Sequence, residues 1–216
     1  MIIAGGMAAK LVLYPIHEDP ALDGLTLMNW AVVAKIGDGS SPPPRREDWS
    51  RPGRLEDLLP FVESTFRVRE VDHVALIRAT PEFFEYPMCD RDPLPRWSHG
   101  RVTLLGDAAH PMYPVGSNGA SQAILDARCL ARVLAENAGN PEAALRAYEA
   151  ERLGATAAIV RSNRLGGPER VIDVIEQRAP DGFARIEDVA TQAELTAIVR
   201  GYAHMAGFGR EQAHSR

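Results

Sequence analysis

A short apolar run, Val102-Thr103-Leu104-Leu105, goes straight into Gly106-Asp107, then through a turn-rich loop from Pro111 to Gly119, and into a long amphipathic pattern, Ala120 to Glu136. This order predicts a buried strand over 102–105, a glycine-rich turn and a helix start, which together make a binding device. Glycine lets the backbone approach a ligand closely and adopt positive φ. The start of a helix carries free N–H groups and partial positive charge, which suit an anionic or hydrogen-bond-accepting group. Asp107 then stands at the C-terminal end of the strand, where open α/β sheets place their ligands.

The segments on either side read less sharply. Lys10 to Ile16 and Leu25 to Ala34 read as two strands of a hairpin-like pair, separated by an Asp-, Pro- and Gly-rich loop from His17 to Gly24. Leu25, Leu27, Asn29, Ala31 and Val33 fall on one face of the second strand; Thr26, Met28, Trp30, Val32 and Ala34 fall on the other. Both faces are largely apolar, which predicts a sheet covered on both sides. Gly37 to Gly53 reads as a loop. Arg54 to Phe66 reads as a helix with Leu55, Leu58, Leu59 and Val62 inward and a costly Pro60 within it. Phe83 to Met88 is a short strand.

Ala120, Ala123, Ile124, Ala127, Ala131 and Leu134 recur at helical spacing and predict the buried stripe of the next helix. Asn140-Pro141-Glu142 is a helix start, with Asn as N-cap and Pro at the first helical position. That helix should bury Leu145, Tyr148, Arg152, Ala155 and Ile159 and end at Gly166-Gly167-Pro168. Glu169 to Arg178 and Ile186 to Tyr202 read as further helices, with a frayed tail from His204.

The run Gly106-Asp107-Ala108-Ala109-His110-Pro111, followed by Pro114, Gly116, Asn118 and Gly119, resembles the second FAD-binding motif of the single-component FAD-dependent aromatic hydroxylases, the p-hydroxybenzoate hydroxylase family. The similarity is strongest to the phenazine and salicylate hydroxylase branch. It extends from about Leu11 to Arg152 and includes Tyr86-Pro87-Met88, Asp90 to Pro95 and Ala120 to Asp126. Members of that family begin with a strand, a G-x-G-x-x-G turn and a helix that hold the ADP half of the cofactor. The early glycines here, Gly5-Gly6, do not continue in that pattern. The expectation is therefore a C-terminal portion that starts inside the substrate domain. Its fold class would be a partial antiparallel substrate-domain sheet, the C-terminal strand-loop-helix of an FAD domain, and trailing helices. The expected divisions are 1–98, partial substrate domain; 99–168, C-terminal part of the FAD domain; and 169–216, a helical extension.

The resemblance also assigns roles. It implies that Asp107 accepts a hydrogen bond from a ribityl hydroxyl of FAD, and that Gly106 shapes the turn. The N–H groups of Gly116, Ser117, Asn118 and Gly119 would face the pyrimidine edge of the isoalloxazine. A simple turn capped by Ser117 or Asn118 is the plainer reading of the same loop. Pro114 matches a proline beside the ring system and the substrate. Tyr14, Trp30 and Met88 are candidates for stacking an aromatic substrate, or else core residues. His110 reads as structural, and Tyr148 with Arg152 as a brace. In the implied chemistry NAD(P)H reduces FAD, the reduced flavin activates O2, and one oxygen atom reaches an electron-rich aromatic ring. The flavin carries that chemistry, and no protein residue is expected as catalyst.

Composition sets outer limits. A net charge of −5 with no basic-aromatic stripe argues against nucleic acid as a partner. Two distant cysteines, Cys89 and Cys129, argue against a disulfide framework and for a reducing cytoplasm. The six histidines lack metal-ligand spacing, no metal is expected, and no stretch reads as a membrane span. A homo-oligomer, or a separately made N-terminal half, is the expected macromolecular partner if there is one. In the latter case the chain would be a non-catalytic module.

Overall fold

A computed structural model describes residues 1–6, 8–18, 25–36 and 48–209. The expected features at His17–Gly24 and Gly37–Gly53 thus fall largely outside the described residues. The chain divides into two compact units, Met1–Met88 and Cys89–Arg216.

The first unit is built on three antiparallel strands in the order β1-β2-β3, with β1 Ile2–Gly5, β2 Ala9–Glu18 and β3 Thr26–Ala34. β1 arises from the apolar start of the chain, and Gly5 ends it at φ +113, where a Cβ would lie 2.2 Å from the Ala9 carbonyl oxygen. Gly6 N–H donates to that same oxygen at 2.9 Å and closes the connection. Leu13 pairs with Ile2 on one side and Trp30 on the other; Leu11 pairs with Val32. Cross-strand partners share a face, so Ile2, Leu11, Leu13, Trp30 and Val32 line one side of the sheet. The register shifts between Pro15 and His17, where Pro15 has no N–H for the ladder.

Helix α1, Leu55–Thr65, and helix α2, His73–Arg78, supply the other half of this core. Val62, Phe66 and Ile77 pack with Leu11 and Leu13, all essentially inaccessible to solvent. Pro60 lies inside α1 and deprives it of one ladder donor. The short strands β4, Arg51–Pro52, and β5, Phe84–Glu85, pair with each other.

The expectation of a sheet covered on both faces is corrected here. Tyr14, Ile16 and Leu27 remain exposed on the second face. The sequence reads apolar on both sides, but α1 and α2 pack their apolar residues into the single cluster that holds Leu11 and Leu13.

The second unit is helical: α3 Gly119–Glu136, α4 Pro141–Arg164, α5 Arg170–Arg178 and α6 Gln192–Met205. α4 starts as its sequence predicts, with Asn140 Oδ1 accepting from Ala143 N–H at 3.1 Å and Pro141 at the first turn. It ends at Gly166, which is left-handed at φ +92. Trp97, Cys129, Val133, Ala144 and Tyr148 form the apolar cluster between α3, α4 and the chain before them. The Glu149 carboxylate accepts the N–H groups of Trp97 and Ser98 at 2.8 and 2.5 Å and fixes that approach.

Two expectations fail in this unit. Residues 102–105 form no strand; only His99 and Val102 make an isolated bridge, and Val102 is 67% exposed. A strand needs neighbours for its N–H and C=O groups, and no described strand lies beside this one. α3 also buries the opposite stripe from the one predicted. Gln122, Asp126, Cys129 and Val133 are buried, whereas Ile124 is 69% exposed and Leu134 is exposed too. Burying Gln and Asp in preference to Ile is tolerable only when every polar atom is partnered, and these are.

Leu13→Ala should cost about 2–5 kcal/mol of stability, as deletions in a closed core do. Leu27→Ala, on the open face, should change stability by less than about 0.5 kcal/mol. Denaturant unfolding of the two variants measures the difference. Equal losses would mean that the second face is covered after all.

Candidate functional site

The polar stripe of α3 organises the second unit. Asp126 is fully buried and accepts three hydrogen bonds. His110 Nε2 donates to Oδ2 at 2.5 Å, Gly106 N–H donates to the same oxygen at 3.1 Å, and Arg152 Nε donates to Oδ1 at 2.7 Å. Burial alone would push this carboxyl up, but the bonds from His110, Arg152 and Gly106 outweigh it and hold the group below its ordinary range. One carboxylate thus ties the Gly106 turn, the loop at His110, α3 and α4 together.

The network continues one helical turn earlier. Arg152 donates to Gln122 Oε1 at 2.7 Å. Gln122 Nε2 donates to Asn118 Oδ1 at 3.2 Å and to the Ala206 carbonyl at 2.9 Å. Asn118 Nδ2 donates to the Tyr202 hydroxyl at 3.3 Å, and that hydroxyl donates to Asn163 Oδ1 at 2.9 Å. Asn163 in turn donates to the Tyr113 carbonyl at 3.0 Å. Burial pushes the Tyr202 phenol above its ordinary value, which keeps it neutral and able to donate and accept at once.

This scaffold sets the loop that the sequence singled out. Gly106 begins a 3-10 turn at φ +58, with its would-be Cβ 3.3 Å from Ala123 Cβ. Asp107 follows, exposed, and its carboxylate bonds to no described residue. Pro114 is exposed and precedes a second 3-10 turn, Val115–Ser117. Gly116 has φ +73, and a Cβ there would lie 2.9 Å from Pro168 Cδ and from the Tyr202 ring. Ser117 is the non-glycine residue at positive φ, +50, a strained choice for a side chain. Asn118 is buried and does not cap α3; the helix starts without any side-chain cap. Its first N–H groups are thus left without the usual intramolecular partner.

Most of the sequence-derived cofactor residues therefore fall together. Gly106, Asp107, Pro114, Gly116, Ser117, Asn118 and Gly119 lie on one continuous surface loop and helix start of the second unit. Two details differ from expectation. Gly116 N–H donates to Glu169 Oε1 at 3.2 Å, and Ser117 N–H donates to the Pro114 carbonyl at 3.0 Å, so neither donor is open. Asn118 is not a helix cap but a buried link to Tyr202. The substrate candidates are dispersed. Trp30 lies on the core face, its indole N–H donating to Thr80 Oγ1 at 2.8 Å and its ring 5.2 Å from that of Phe83. Tyr14 is on the opposite face of the sheet, and Met88 is exposed at the end of the first unit.

His110 is buried against Asp126, with Nδ1 unpartnered among the described residues. Tyr148 and Arg152 brace α4, the former donating to the Leu104 carbonyl at 3.2 Å. Sequence reasoning passed over Asp126, Gln122, Glu169 and Tyr202. Asp126 was legible in principle: with Gln122, Cys129 and Val133 it makes a second helical stripe. Glu169 and Tyr202 carried no local signal.

The residues fit the flavin half of FAD: a carboxylate without a partner among the described residues, a glycine whose φ and surroundings exclude a side chain, and an uncapped helix start lie within one loop. Comparison with known proteins agrees. Residues 67–163 match the family model of the FAD binding domain. The phenazine 1,6-dicarboxylic acid hydroxylase of Lysobacter antibioticus is 46% identical over 165 residues, covering 76% of this chain and 40% of that protein. The 6-hydroxynicotinate 3-monooxygenase of Bordetella bronchiseptica is 52% identical over 80 residues, covering 36% of this chain and 21% of that protein. A solved structure of a salicylate hydroxylase superposes with a TM-score of 0.60 at 22% identity, covering 94% of this chain and 48% of the other, which establishes the fold. The chain is thus similar, over most of its length, to FAD-dependent aromatic hydroxylases. It spans less than half the length of each of these relatives. Among the described residues no helix is long and apolar enough to cross a membrane, and no cluster of His, Cys, Asp or Glu could hold a metal.

Asp126→Asn should cost about 3–5 kcal/mol at neutral pH, because it strands the buried Arg152 guanidinium. The native carboxyl lies below its unfolded value of about 3.9, so its contribution is complete above that value and is lost as pH falls through the native one. The gap between wild type and variant should therefore narrow on acidification. Urea unfolding at pH 7 and near pH 3 measures it. A gap that is independent of pH would show that Asp126 is not the anionic centre.

Proposed function

We propose that this chain is part of a FAD-dependent monooxygenase that hydroxylates a small aromatic substrate using NAD(P)H and O2, and that it works in the cytoplasm. The observation that carries this reading is the exposed Asp107 carboxylate, without a partner among the described residues, in the same loop as the uncapped start of α3 and in a segment matching an FAD binding domain. Asp107 would hold a ribityl hydroxyl, with Gly106 shaping the turn. Gly116 and Ser117 would keep the loop flat against the cofactor, while Asn118, Gly119 and the α3 start would supply donors and partial positive charge. When bound, the flavin would supply the electron transfer and oxygen activation. The chain's own part is to bind and orient it.

Pro114 is proposed to lie beside both cofactor and substrate. Of the substrate candidates, Tyr14 and Met88 have exposed side chains; Trp30, committed to Thr80 and Phe83, would act only as support. The divisions 1–98, 99–168 and 169–216 are proposed as substrate-domain part, FAD-domain part and helical extension.

A second reading is favoured by one specific observation. The apolar stripe of α3 faces outward, with Ile124 and Leu134 exposed, as are Val102 and Leu105. That surface suits a separately made N-terminal half, with this chain acting as a non-catalytic module until joined. The outward stripe then becomes the docking face.

Titration of the purified chain with FAD, followed by flavin fluorescence, tests the first reading. Saturable binding is expected, weakened about 10- to 150-fold in Asp107→Ala, the value of a hydrogen bond to a charged group. Equal binding by the variant would sink the assignment. Binding only after an N-terminal half is supplied, and blocked by Ile124→Asp, would favour the second reading.

A further inference from the structure

Asn118 is the type of residue that caps helices, and it immediately precedes α3. It does not cap it. Its backbone is helical at φ −108 and ψ −14, its side chain is 1% exposed, and its amide bonds the Tyr202 hydroxyl and Gln122. The Tyr202 ring also packs where a Gly116 Cβ would stand, so one side chain of α6 touches both the loop and its last residue. Tyr202 is 84 positions away in sequence from Asn118. It is held in turn by Asn163 of α4.

We infer that Tyr202 is a positioning residue for the cofactor loop: together with Gln122, which holds the Asn118 Oδ1, it keeps the Asn118 amide turned inward through Nδ2, and so withholds a cap from α3 and keeps the helix start open to the flavin. This rests on the FAD reading above. An internal cap and an external ligand compete for the same first-turn donors. A helix that receives an anionic or accepting ligand must therefore be kept from capping itself. The C-terminal helix, remote in sequence from the binding motif, thereby becomes part of the cofactor site.

Tyr202→Phe removes the hydroxyl that holds Asn118 Nδ2 and leaves the amide held by Gln122 alone, free to exchange that bond for a cap. FAD affinity should fall about five- to tenfold, the worth of a side-chain cap. The double variant Tyr202→Phe/Asn118→Ala, which has no cap to compete, should regain most of that loss. Recovery by a second deletion is a result that lost packing alone does not produce. Amide exchange of Ala120 and Ser121 in the unaltered chain provides a measurement free of folding defects. It should be fast without flavin and slowed with it; slow exchange in both states would overturn the inference. Equal affinity of wild type and Tyr202→Phe, or a double variant as weak as the single one, would overturn it while leaving the FAD reading intact. Absence of flavin binding by the wild-type chain, alone and with an N-terminal half, would overturn both.

Discussion

The second unit depends on one buried carboxylate. Asp126 has no solvent to ionise into, so its charge is stable only because Arg152, His110 and the Gly106 amide converge on it. Arg152 comes from α4, and Gly106 and His110 from the turn before α3, 26, 20 and 16 residues from Asp126 in sequence. Satisfying the carboxylate therefore sets the position of the Gly106-Asp107 turn relative to α3 and α4. Asp107 owes its exposed, unpartnered place to this: the turn is anchored through its neighbour's backbone, which leaves its own carboxylate available.

The same arrangement explains why the unit is built around polar atoms where an apolar stripe was at hand. Gln122 and Asp126 lie one turn apart on α3, and Arg152 spans both. Tyr202 and Asn163 extend the chain of bonds to α6 and the end of α4. An apolar core would tolerate small slips of one helix on another. A connected set of hydrogen bonds in a low-dielectric interior does not, since each slip strands a buried polar group. A loop that must present donors to a cofactor gains from such rigidity.

Much of the first unit was legible from pattern alone. The strands around Leu13 and Trp30 and helix α1 with Val62 inward follow from local propensity and spacing, as does the Asn140-Pro141 start of α4 in the second unit. The cofactor loop was legible too, because Gly106, Asp107, Gly116 and Asn118 are punctuation that few other structures require. What misled was apolar periodicity without knowledge of the neighbour. Ile124 and Leu134 mark a strong stripe on α3, yet among the described residues both stay exposed, and the polar stripe is the one inside.

The sequence by itself determined the local devices: the turn at Gly106-Asp107, the glycine-bearing loop, the capped start of α4 and the alternation of β3. Each is decided by dihedral preference or hydrogen bonding within a few residues. Tertiary structure alone decided which face of α3 is buried, that 102–105 is not a strand, and that Glu169 and Tyr202 grip the loop. Those outcomes depend on which polar groups find partners 16 to 87 residues away in the chain, and periodicity carries no record of such partners.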